Sequence, residues 1–274
     1  MNTERLEQIA NRMRCNVLRM TAAAGSGHPG GSLSAADIMA TLWFGGFMRY
    51  RAEEPEWEGR DRFILSKGHA APILYAAMVE AGYLEESELL TLRQLGSRLQ
   101  GHPDSTKLPG VEVSTGSLGQ GLSVAVGMAL GLAMNGGDQK VFCLIGDGES
   151  QEGQIWEAVM FAAQQKTRNL IAIIDNNGLQ IDGFVEDICG VGDLTAKFSH
   201  FGWWAKELDG HDIQALEQAL EEAMTTDFEG PRALIARTIK GKGVSFMENV
   251  SGWHGKAPNA EQLEIALSEL GEKL

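Results

Sequence analysis

Two short polar segments, each directly after an apolar stretch, constrain this chain more than any other feature. Gly-Asp-Gly occupies residues 146–148, after the apolar residues 141–145, and Asp-Asn-Asn follows about thirty residues later at 175–177, after residues 169–174. If both stretches are parallel strands, the carboxylate of Asp147 and the amide of Asn177 lie at the same edge of a sheet. Both groups present hard oxygen atoms, which Mg²⁺ prefers when it also binds a diphosphate. The pair therefore predicts a magnesium–diphosphate site.

Helical and strand patterns alternate along the chain. The periodicity predicts helices over residues 3–23, 35–44, 70–81, 119–134, 154–165, 212–224 and 260–270, and strands over 62–66, 141–145, 169–174, 203–208 and 233–238. This alternation is typical of an α/β fold with a mainly parallel β-sheet flanked by helices on both faces. Ser34 is the predicted N-cap of the second helix, after a glycine-rich polar loop. Because no break in composition divides residues 1–274, we expect one domain.

Composition excludes several classes of function. Hydrophobic residues make up 43% of the 274 residues, and the formal net charge of −14 argues against a protein that binds nucleic acid. No apolar run is long enough to span a membrane, and the N-terminal residues lead straight into an amphipathic helix, so we expect a cytoplasmic location. The three cysteines show no paired spacing, and no Cys or His pairs suggest zinc.

Further candidates for the diphosphate site lie near the first pair. Gly146 and Gly148 let the backbone approach phosphate oxygens, and the helix that begins after them favours an anion. The backbone carbonyl of Leu179 is a candidate third metal ligand. In two other turns that follow predicted strands, Lys67 and Lys242 either hold phosphate oxygens or are ordinary solvated residues.

Four of the six histidines lie beside glycine or proline in predicted loops. These are His28, His69, His102 and His254. A histidine can donate to a phosphate, or move a proton to and from a sugar hydroxyl near neutral pH. His200 and His211 lack this setting, and we predict structural roles for both.

The helix over 154–165 is apolar on all sides, which predicts that it is buried on all sides. In the stretch 119–134, the small residues Ser123, Gly127 and Gly131 recur every four positions, where another helix can approach closely. One face of the helix over 154–165 can pack on the sheet. The opposite face is expected to meet another chain or, alternatively, this chain's own C-terminal segment.

Motifs over nearly the whole chain, taken in order, resemble those of the transketolase family. They are Ser-Gly-His-Pro-Gly-Gly at 26–31, Leu-Ser-Lys-Gly-His-Ala at 65–70, Gln-Gly-His-Pro at 100–103, Ser-Thr-Gly-Ser-Leu-Gly-Gln-Gly at 114–121 and Gly-Trp-His-Gly at 252–255. The Gly-Asp-Gly and Asn-Asn pair is similar to the thiamine diphosphate fingerprint shared by many enzymes. The resemblance implies a thiamine diphosphate-binding fold of the type that holds the cofactor's diphosphate.

The resemblance also implies a set of cofactor and metal positions. Mg²⁺, for which Ca²⁺ or Mn²⁺ can substitute, would bind Asp147, Asn177 and the carbonyl of Leu179. Glu152, at the start of a helix where a carboxylate also suits the dipole, would help to join a partner domain at the cofactor. The full set of implied cofactor-binding residues is His69, Gly116, Ser117, Leu118, Gly146, Asp147, Gly148, Glu149, Glu152, Asn177, Leu179, Lys242 and His254.

The implied reaction is transfer of a two-carbon ketol unit from a ketose phosphate to an aldose phosphate. His28, His102 and His254 would be the catalytic residues, lining the substrate channel and handling sugar hydroxyls. Gly116 and Leu118 would lie beside the cofactor's rings, and the cofactor itself would carry the chemistry.

Length is the departure from the family, because a full transketolase resembles this chain only in its first domain. The domain that binds the cofactor's pyrimidine, and the C-terminal domain, have no counterpart in these 274 residues. The resemblance therefore implies the N-terminal subunit of a split transketolase. It would be active only with a C-terminal subunit carrying the pyrimidine-binding domain, in an assembly of two copies of each.

Other functions remain open at this point. The chain could belong to another thiamine diphosphate enzyme, such as the α subunit of a 2-oxoacid dehydrogenase or a deoxyxylulose-phosphate synthase-like protein, although the four loop histidines argue against this. It could also be a non-catalytic scaffold subunit. Residues 25–30 superficially fit the dinucleotide-binding pattern G-x-G-x-x-G, but they follow a helix rather than a strand.

Overall fold

Five parallel strands form the centre of the computed structural model, which describes residues 3–272. They are β1 (Arg62–Leu65), β2 (Val141–Gly146), β3 (Leu170–Asn176), β4 (Trp204–Asp209) and β5 (Arg232–Arg237). Their order across the sheet is β1-β2-β3-β5-β4, and every neighbouring pair is parallel. The predicted parallel α/β fold is confirmed.

Helices cover both faces of this sheet. They are α1 (Thr3–Ala24), α2 (Pro29–Ser34), α3 (Ala36–Phe44), α4 (Ala71–Glu80), α5 (Gln120–Met134), α6 (Gly153–Gln164), α7 (Val185–Cys189), α8 (Leu194–His200), α9 (Ile213–Thr225) and α10 (Ala260–Glu269). Alternate residues of β2 belong to two hydrophobic cores, one on each face of the sheet. Phe142 and Leu144 lie in the core formed with α1, α3, α4 and α9. Cys143 and Ile145 lie in the core formed with α5, α6 and α8. Burial on both faces explains why the strands are apolar throughout.

Strand register aligns the polar segments at one edge of the sheet. Gly146 of β2 pairs with Asp175 of β3, and Asn176 pairs with Arg237 of β5. The segments that follow β2, β3 and β5 therefore leave the sheet side by side. This is the edge at which an open α/β sheet collects its ligands.

The glycine-rich loop is partly helical, so the predicted cap at Ser34 is wrong. Residues Pro29–Ser34 form α2, with Pro29 in the first turn, where its missing N–H costs nothing. Ala35 then precedes α3 without a side-chain cap. The Ser34 hydroxyl instead donates to Asp175 Oδ2 at 2.7 Å. A tertiary partner has thus replaced the local hydrogen bond that the sequence pattern favours.

Helix α6 is buried on only part of its surface within this chain. Met160 and Phe161 are 59% and 50% exposed, and they share a groove with Phe201, at the end of α8. On α5, nothing lies within 4 Å of a Cβ placed at Gly127 or Gly131. The C-terminal helix α10 packs against α1 instead, so the alternative that the chain's own end covers α6 is wrong. We call the groove lined by Met160, Phe161, Ala163, Gln164, Phe201 and Gly202 the apolar groove.

Two short helices, α7 and α8, were not predicted, because each is shorter than two helical turns and too short to establish an apolar periodicity. For α8 a signal exists in the sequence: the Asp193 side chain accepts a hydrogen bond from Ala196 N as an N-cap. Within residues 3–272, no helix is both long and apolar enough to cross a membrane.

Candidate cofactor site

Asp147 lies where β2 ends, and its carboxylate is almost completely buried at 2% exposure. Oδ1 accepts a hydrogen bond from Gly148 N at 2.7 Å, and Oδ2 accepts one from Gly178 N at 2.5 Å. Burial, together with the negative charge of Asp175, raises the pKa of Asp147 to about 6. Two backbone hydrogen bonds and the charge of Lys67 therefore offset only part of the cost of burying this carboxylate.

Asn177 follows directly after β3, and its hydrogen bonds orient its amide. Nδ2 faces Ser34 Oγ and Asp175 Oδ2, each at 3.4 Å, whereas Oδ1 accepts from Leu179 N at 3.1 Å. The carbonyl of Leu179 accepts a hydrogen bond from Lys240 Nζ at 2.9 Å. An ammonium group therefore already lies against one of the three predicted metal ligands.

This donor set fits a hard cation. Among residues 3–272, no three His, Cys, Asp or Glu side chains cluster in a way that could hold a metal ion by themselves. A metal here would need the carboxylate of Asp147, the amide oxygen of Asn177, the Leu179 carbonyl and oxygens of its own ligand. That mixture suits Mg²⁺, which keeps non-protein oxygens when it binds phosphates. The under-compensated carboxylate of Asp147 supports the same conclusion.

Beneath these ligands lies a buried polar cluster, which we define as Ser34, Lys67, Asp175 and Thr238. Lys67 Nζ forms an ion pair with Asp175 and also donates to Gly31 O at 2.8 Å. The two side chains are 1% and 0% exposed. Thr238 donates to the other oxygen of Asp175, and these partners hold the pKa of Asp175 below its usual range despite burial. Lys67 is thus not a solvated turn residue.

Glu149 and Glu152 have different surroundings. The carboxylate of Glu149 accepts from Ser66 Oγ at 2.5 Å, from Gly119 N at 2.9 Å and from Gly146 N at 3.1 Å. It thereby ties the end of β2 to the start of α5. Glu152 is exposed at the start of α6, and a Cβ at Gly119, whose φ is +84°, would lie 2.8 Å from Glu152 Cβ.

The four loop histidines come together in one group, and two of them, His69 and His254, line the same cavity as Asp147. The His28 ring centroid lies 5.5 Å from His69, 6.1 Å from His102 and 5.5 Å from His254. His69 and His254 stack at 4.9 Å. Burial, aided by neighbouring cations, lowers the pKa of His28 to about 4 and that of His254 to about 3. Both rings are therefore neutral at physiological pH.

The implied ring-binding residues are only partly gathered here. Leu118 lines the cavity together with His69 and His254. Gly116 lies instead against His102, and Ser117 is exposed beside it. His102 itself is exposed, at the outer side of the histidine group.

Lys240, rather than the predicted Lys242, reaches the cavity. Lys240 is 1% exposed, and its Nζ lies 2.8 Å from His254 Nδ1 as well as on the Leu179 carbonyl. Burial lowers its pKa to about 8. Lys242 is absent from the lining of the cavity and lies 3.9 Å from Glu248. The sequence analysis assigned Lys242, and not Lys240, to the cofactor, because spacing within a turn does not show which of its lysines faces inward.

A single cavity contains most of the candidates. It is lined by Lys67, His69, Leu118, Gly146, Asp147, Gly148, Glu149, Gln151, Glu152, Asn177, Leu179, Gln180, Ile181, Asp182, Lys240 and His254. Residues that sequence reasoning did not assign to the site are Ser34, Asp175, Lys240 and Thr238. The predicted strand 169–174 ended one residue before Asp175, whereas β3 continues to Asn176 and buries this aspartate, which therefore needs a partner. His211 is structural as predicted, because its ring bridges Asp37 and Ile239 N.

The parallel sheet and the oxygen-lined cavity define an α/β domain of the class that holds a cofactor's diphosphate. Comparison with known proteins agrees. The family model for "Transketolase, thiamine diphosphate binding domain" matches residues 6–273. The chain belongs to the transketolase family.

Two kinds of relative are found. Transketolase-like protein 2 of Bos taurus is 47% identical over 253 residues, which are 92% of this chain and 40% of that protein. One subunit of the apulose-4-phosphate transketolase of Phocaeicola vulgatus is 39% identical over 274 residues, covering 100% of this chain and 96% of that subunit. A transketolase structure from Campylobacter jejuni superposes with a TM-score of 0.94 at 34% identity, covering 100% of this chain and 44% of that one. The chain thus spans about two fifths of the transketolases and nearly all of the Phocaeicola subunit.

Proposed function

We propose that this chain is the cofactor-binding part of a transketolase that moves a two-carbon ketol unit from a ketose phosphate to an aldose phosphate. The observation that carries the proposal is one cavity lined both by an oxygen ligand set and by His69 and His254, whose rings pack against His28. The ligand set suits a metal diphosphate, and the histidines suit polyhydroxylated substrates. Membership in the transketolase family supports the same reaction.

Each residue of the ligand set has a proposed role. Asp147, Asn177 and the carbonyl of Leu179 would bind Mg²⁺, or Ca²⁺ or Mn²⁺ in its place. The diphosphate would contact Gly148, His69 and His254, together with the buried Lys240 and the backbone at Gly146. Lys240, whose Nζ lies at the Leu179 carbonyl, would be a donor to a phosphate oxygen of the cofactor. Lys242 remains a prediction with weaker support.

Bound thiamine diphosphate would supply the carbon nucleophile and the electron sink of the transfer. This chain would bind and orient the substrate and move protons. His28 and His254 are neutral, and a basic side chain faces Nδ1 of each ring, so Nε2 of each can donate a hydrogen bond to a sugar oxygen. His102, at the exposed side of the group, would contact the substrate nearer to the solvent. Neutral rings suit proton exchange with hydroxyls better than fixed cations.

We also infer that the active assembly contains a second polypeptide segment. The residues that would activate the cofactor's pyrimidine, and arginines for the sugar phosphate, are implied for a pyrimidine-binding domain of a partner subunit. The apolar groove on α6 supports a partner, because exposed apolar grooves commonly mark interfaces. So does the similarity over full length to a protein whose own name makes it one subunit of a transketolase. A single cofactor-binding domain over 1–274 and two copies of each subunit complete the proposal.

Calorimetry of thiamine diphosphate binding tests the cofactor part. We expect binding in the presence of Mg²⁺ and its loss when the metal is chelated. Asp147→Ala should abolish the magnesium-dependent binding, whereas Asp227→Ala, which alters a fully exposed carboxylate, should leave it unchanged. Binding that needs neither metal nor Asp147 would refute the proposed ligand set.

An activity assay tests the reaction and the partner. The purified chain should be inactive by itself and active with its partner subunit, using a ketose phosphate donor such as apulose 4-phosphate or a pentulose phosphate. Ketol transfer by the single polypeptide would refute the need for a partner. Turnover of pyruvate instead of a ketose phosphate would favour another thiamine diphosphate enzyme, and cofactor binding without any turnover would favour a scaffold.

A further inference from the structure

We propose that Arg93 is a positioning residue that holds His28 in one tautomer, with the proton on Nε2. His28 would then meet the substrate as a hydrogen-bond donor. This donor role of His28 rests on the proposed function, because it takes the group that faces His28 to be an oxygen atom of the substrate. The tautomer itself follows from this chain alone.

Arg93 is held in an unusual backbone conformation. Its φ is +61°, in the left-handed region that residues other than glycine seldom adopt, and its N–H donates to Leu99 O at 2.9 Å. Backbone strain of this kind persists where surrounding contacts impose it, often near functional sites. A Cβ at Gly101 would lie 2.8 Å from Arg93 Nε, so the neighbouring glycine leaves the space that the guanidinium occupies.

The guanidinium is aimed at the histidine group. Nη1 donates to Ser26 Oγ at 2.8 Å, and Nη2 lies 3.3 Å from His28 Nδ1. Within residues 3–272, Arg93 forms no ion pair with a carboxylate, unlike the neighbouring Arg98, which binds Glu88. The nearest polar partners of Arg93 are thus a hydroxyl and an imidazole nitrogen.

Chemistry then decides the tautomer. An arginine carries only donors, so the His28 nitrogen that faces it must accept. Nδ1 of His28 is therefore unprotonated, and in a neutral ring the proton lies on Nε2. That nitrogen is on the opposite edge of the ring, 3.5 Å from the position of a Cβ at Gly255. The donor N–H consequently points away from Arg93, into the region beside His254.

The charges around His28 keep the ring neutral. The titratable groups that face it from the packed segments are Arg93, His69, His102, Lys240 and His254, and all are basic. Burial and the positive charges of Arg93, His102 and Lys240 lower its pKa to about 4. A second proton, on Nδ1, would also remove the acceptor that Arg93 contacts. Arg93 thus opposes protonation by geometry as well as by charge.

Nitrogen NMR of the chain with ¹⁵N-labelled histidine tests this directly, without ligand and near neutral pH. His28, assigned by loss of its signals in His28→Gln, should show a protonated Nε2 and an unprotonated Nδ1. In Arg93→Met, water can replace the guanidinium, so the Nδ1–H form should appear as a second population. Arg93→Lys keeps a donor-only cation and should restore part of the Nε2–H form.

Arg98→Met is the matched control, because it removes an arginine nearby that pairs with Glu88 at 2.7 Å. It should leave the His28 spectrum unchanged. Thermal unfolding of each variant reports folding separately. A merely structural role for Arg93 would lower stability and leave the proton on Nε2. That result, or a protonated Nδ1 in the unaltered chain, would overturn the proposal.

With the partner subunit present, Arg93→Met should lower kcat/KM for the donor sugar about fivefold, as expected for weakening one hydrogen bond. The acidic limb of its pH profile should move to higher pH, because His28 protonates more easily. Cofactor binding should stay unchanged, since Arg93 does not line the diphosphate cavity. If the chain failed to bind thiamine diphosphate but showed the predicted tautomer, the proposed function would fall and this inference would stand.

Discussion

The buried polar cluster places charged side chains inside the protein, whereas the apolar groove leaves large apolar side chains at its surface. In the cluster, the ion pair between Lys67 and Asp175 is 1% and 0% exposed. In the groove, Met160 and Phe161 are 59% and 50% exposed. Burying charge and exposing apolar surface both cost stability. Each departure is therefore best explained by something that this chain must bind.

The two regions differ in how completely this chain satisfies them. Asp175 accepts hydrogen bonds from Ser34, Lys67 and Thr238, so the cluster is internally satisfied beside Asp147 and Asn177, the proposed metal ligands. The groove has no such internal partners. An internally satisfied polar cluster suits the proposed positioning of a small ligand, whereas an exposed apolar groove supports the proposed partner subunit.

Lys67→Met should have the largest effect on stability, and it tests the buried polar cluster. It leaves the carboxylate of Asp175 buried and unpaired, which should lower the free energy of unfolding by about 3–5 kcal/mol. Urea unfolding of the purified chain measures the loss. Lys67→Met combined with Asp175→Asn removes the stranded charge and keeps an acceptor for Ser34, so it should recover about half of the loss. A double variant no better than the single one would show that packing, not charge, supports the site.

Asp147→Asn should have an intermediate effect of opposite sign. The folded-state pKa of about 6 lies above the ordinary 3.8, so the folded chain binds more protons than the unfolded chain between these values. Ionisation of Asp147 therefore weakens folding as pH rises through 6, and this cost is fully present above it. Removing the charge should stabilise the metal-free chain near pH 8 by about 1 kcal/mol net, because the asparagine amide keeps only one of the two hydrogen bonds that the carboxylate accepts.

Thermal unfolding at two pH values checks this prediction. The gain should disappear near pH 4, where the unaltered carboxyl is already protonated. Saturating Mg²⁺ with thiamine diphosphate should raise the melting temperature of the unaltered chain and not that of Asp147→Asn, since only a ligand that binds the folded state stabilises it. Equal stability of both proteins near pH 8 would mean that burying the charge of Asp147 costs the metal-free chain no stability.

Changes in the apolar groove should have the smallest effect on the chain alone. Met160→Asp together with Phe161→Asp replaces exposed side chains, so each should alter the free energy of unfolding by less than about 0.5 kcal/mol. Association with the partner subunit, measured by sedimentation, should nevertheless weaken at least about tenfold. Leu95→Asp, at an isolated exposed leucine of 106% exposure, is the control. Unchanged association would remove the groove from the interface.

Local sequence patterns predicted most of the fold, because the apolar strands and amphipathic helices carry their periods in consecutive residues. The β2 and β3 segments were recognised from apolar runs that end in glycine or aspartate. Pro29–Ser34 was not recognised as a helix, because its glycines disfavour one. There, burial against the rest of the molecule outweighs local propensity.

Candidate site residues were recognisable where a motif made their chemistry explicit, as for Asp147, Asn177 and the loop histidines. The supporting residues were not, because their roles depend on partners far away in sequence. Ser34 and Asp175 are 141 residues apart, and Lys67 and Asp175 are 108 apart. Similarly, the choice between Lys240 and Lys242 depends on which direction a turn faces, which sequence spacing does not contain.

The contact between the first and last described helices has a consequence for folding kinetics. Asn11 of α1 donates to Leu270 O at 2.7 Å, across 259 residues, and the sheet is built entirely from parallel strands that pair only through long connections. Contacts of such high sequence separation fold slowly, since loop closure precedes any gain from pairing. During synthesis, the complete histidine group can assemble only after residue 254 has emerged. Cofactor binding at the histidine group would then require the chain to be folded as far as residue 254.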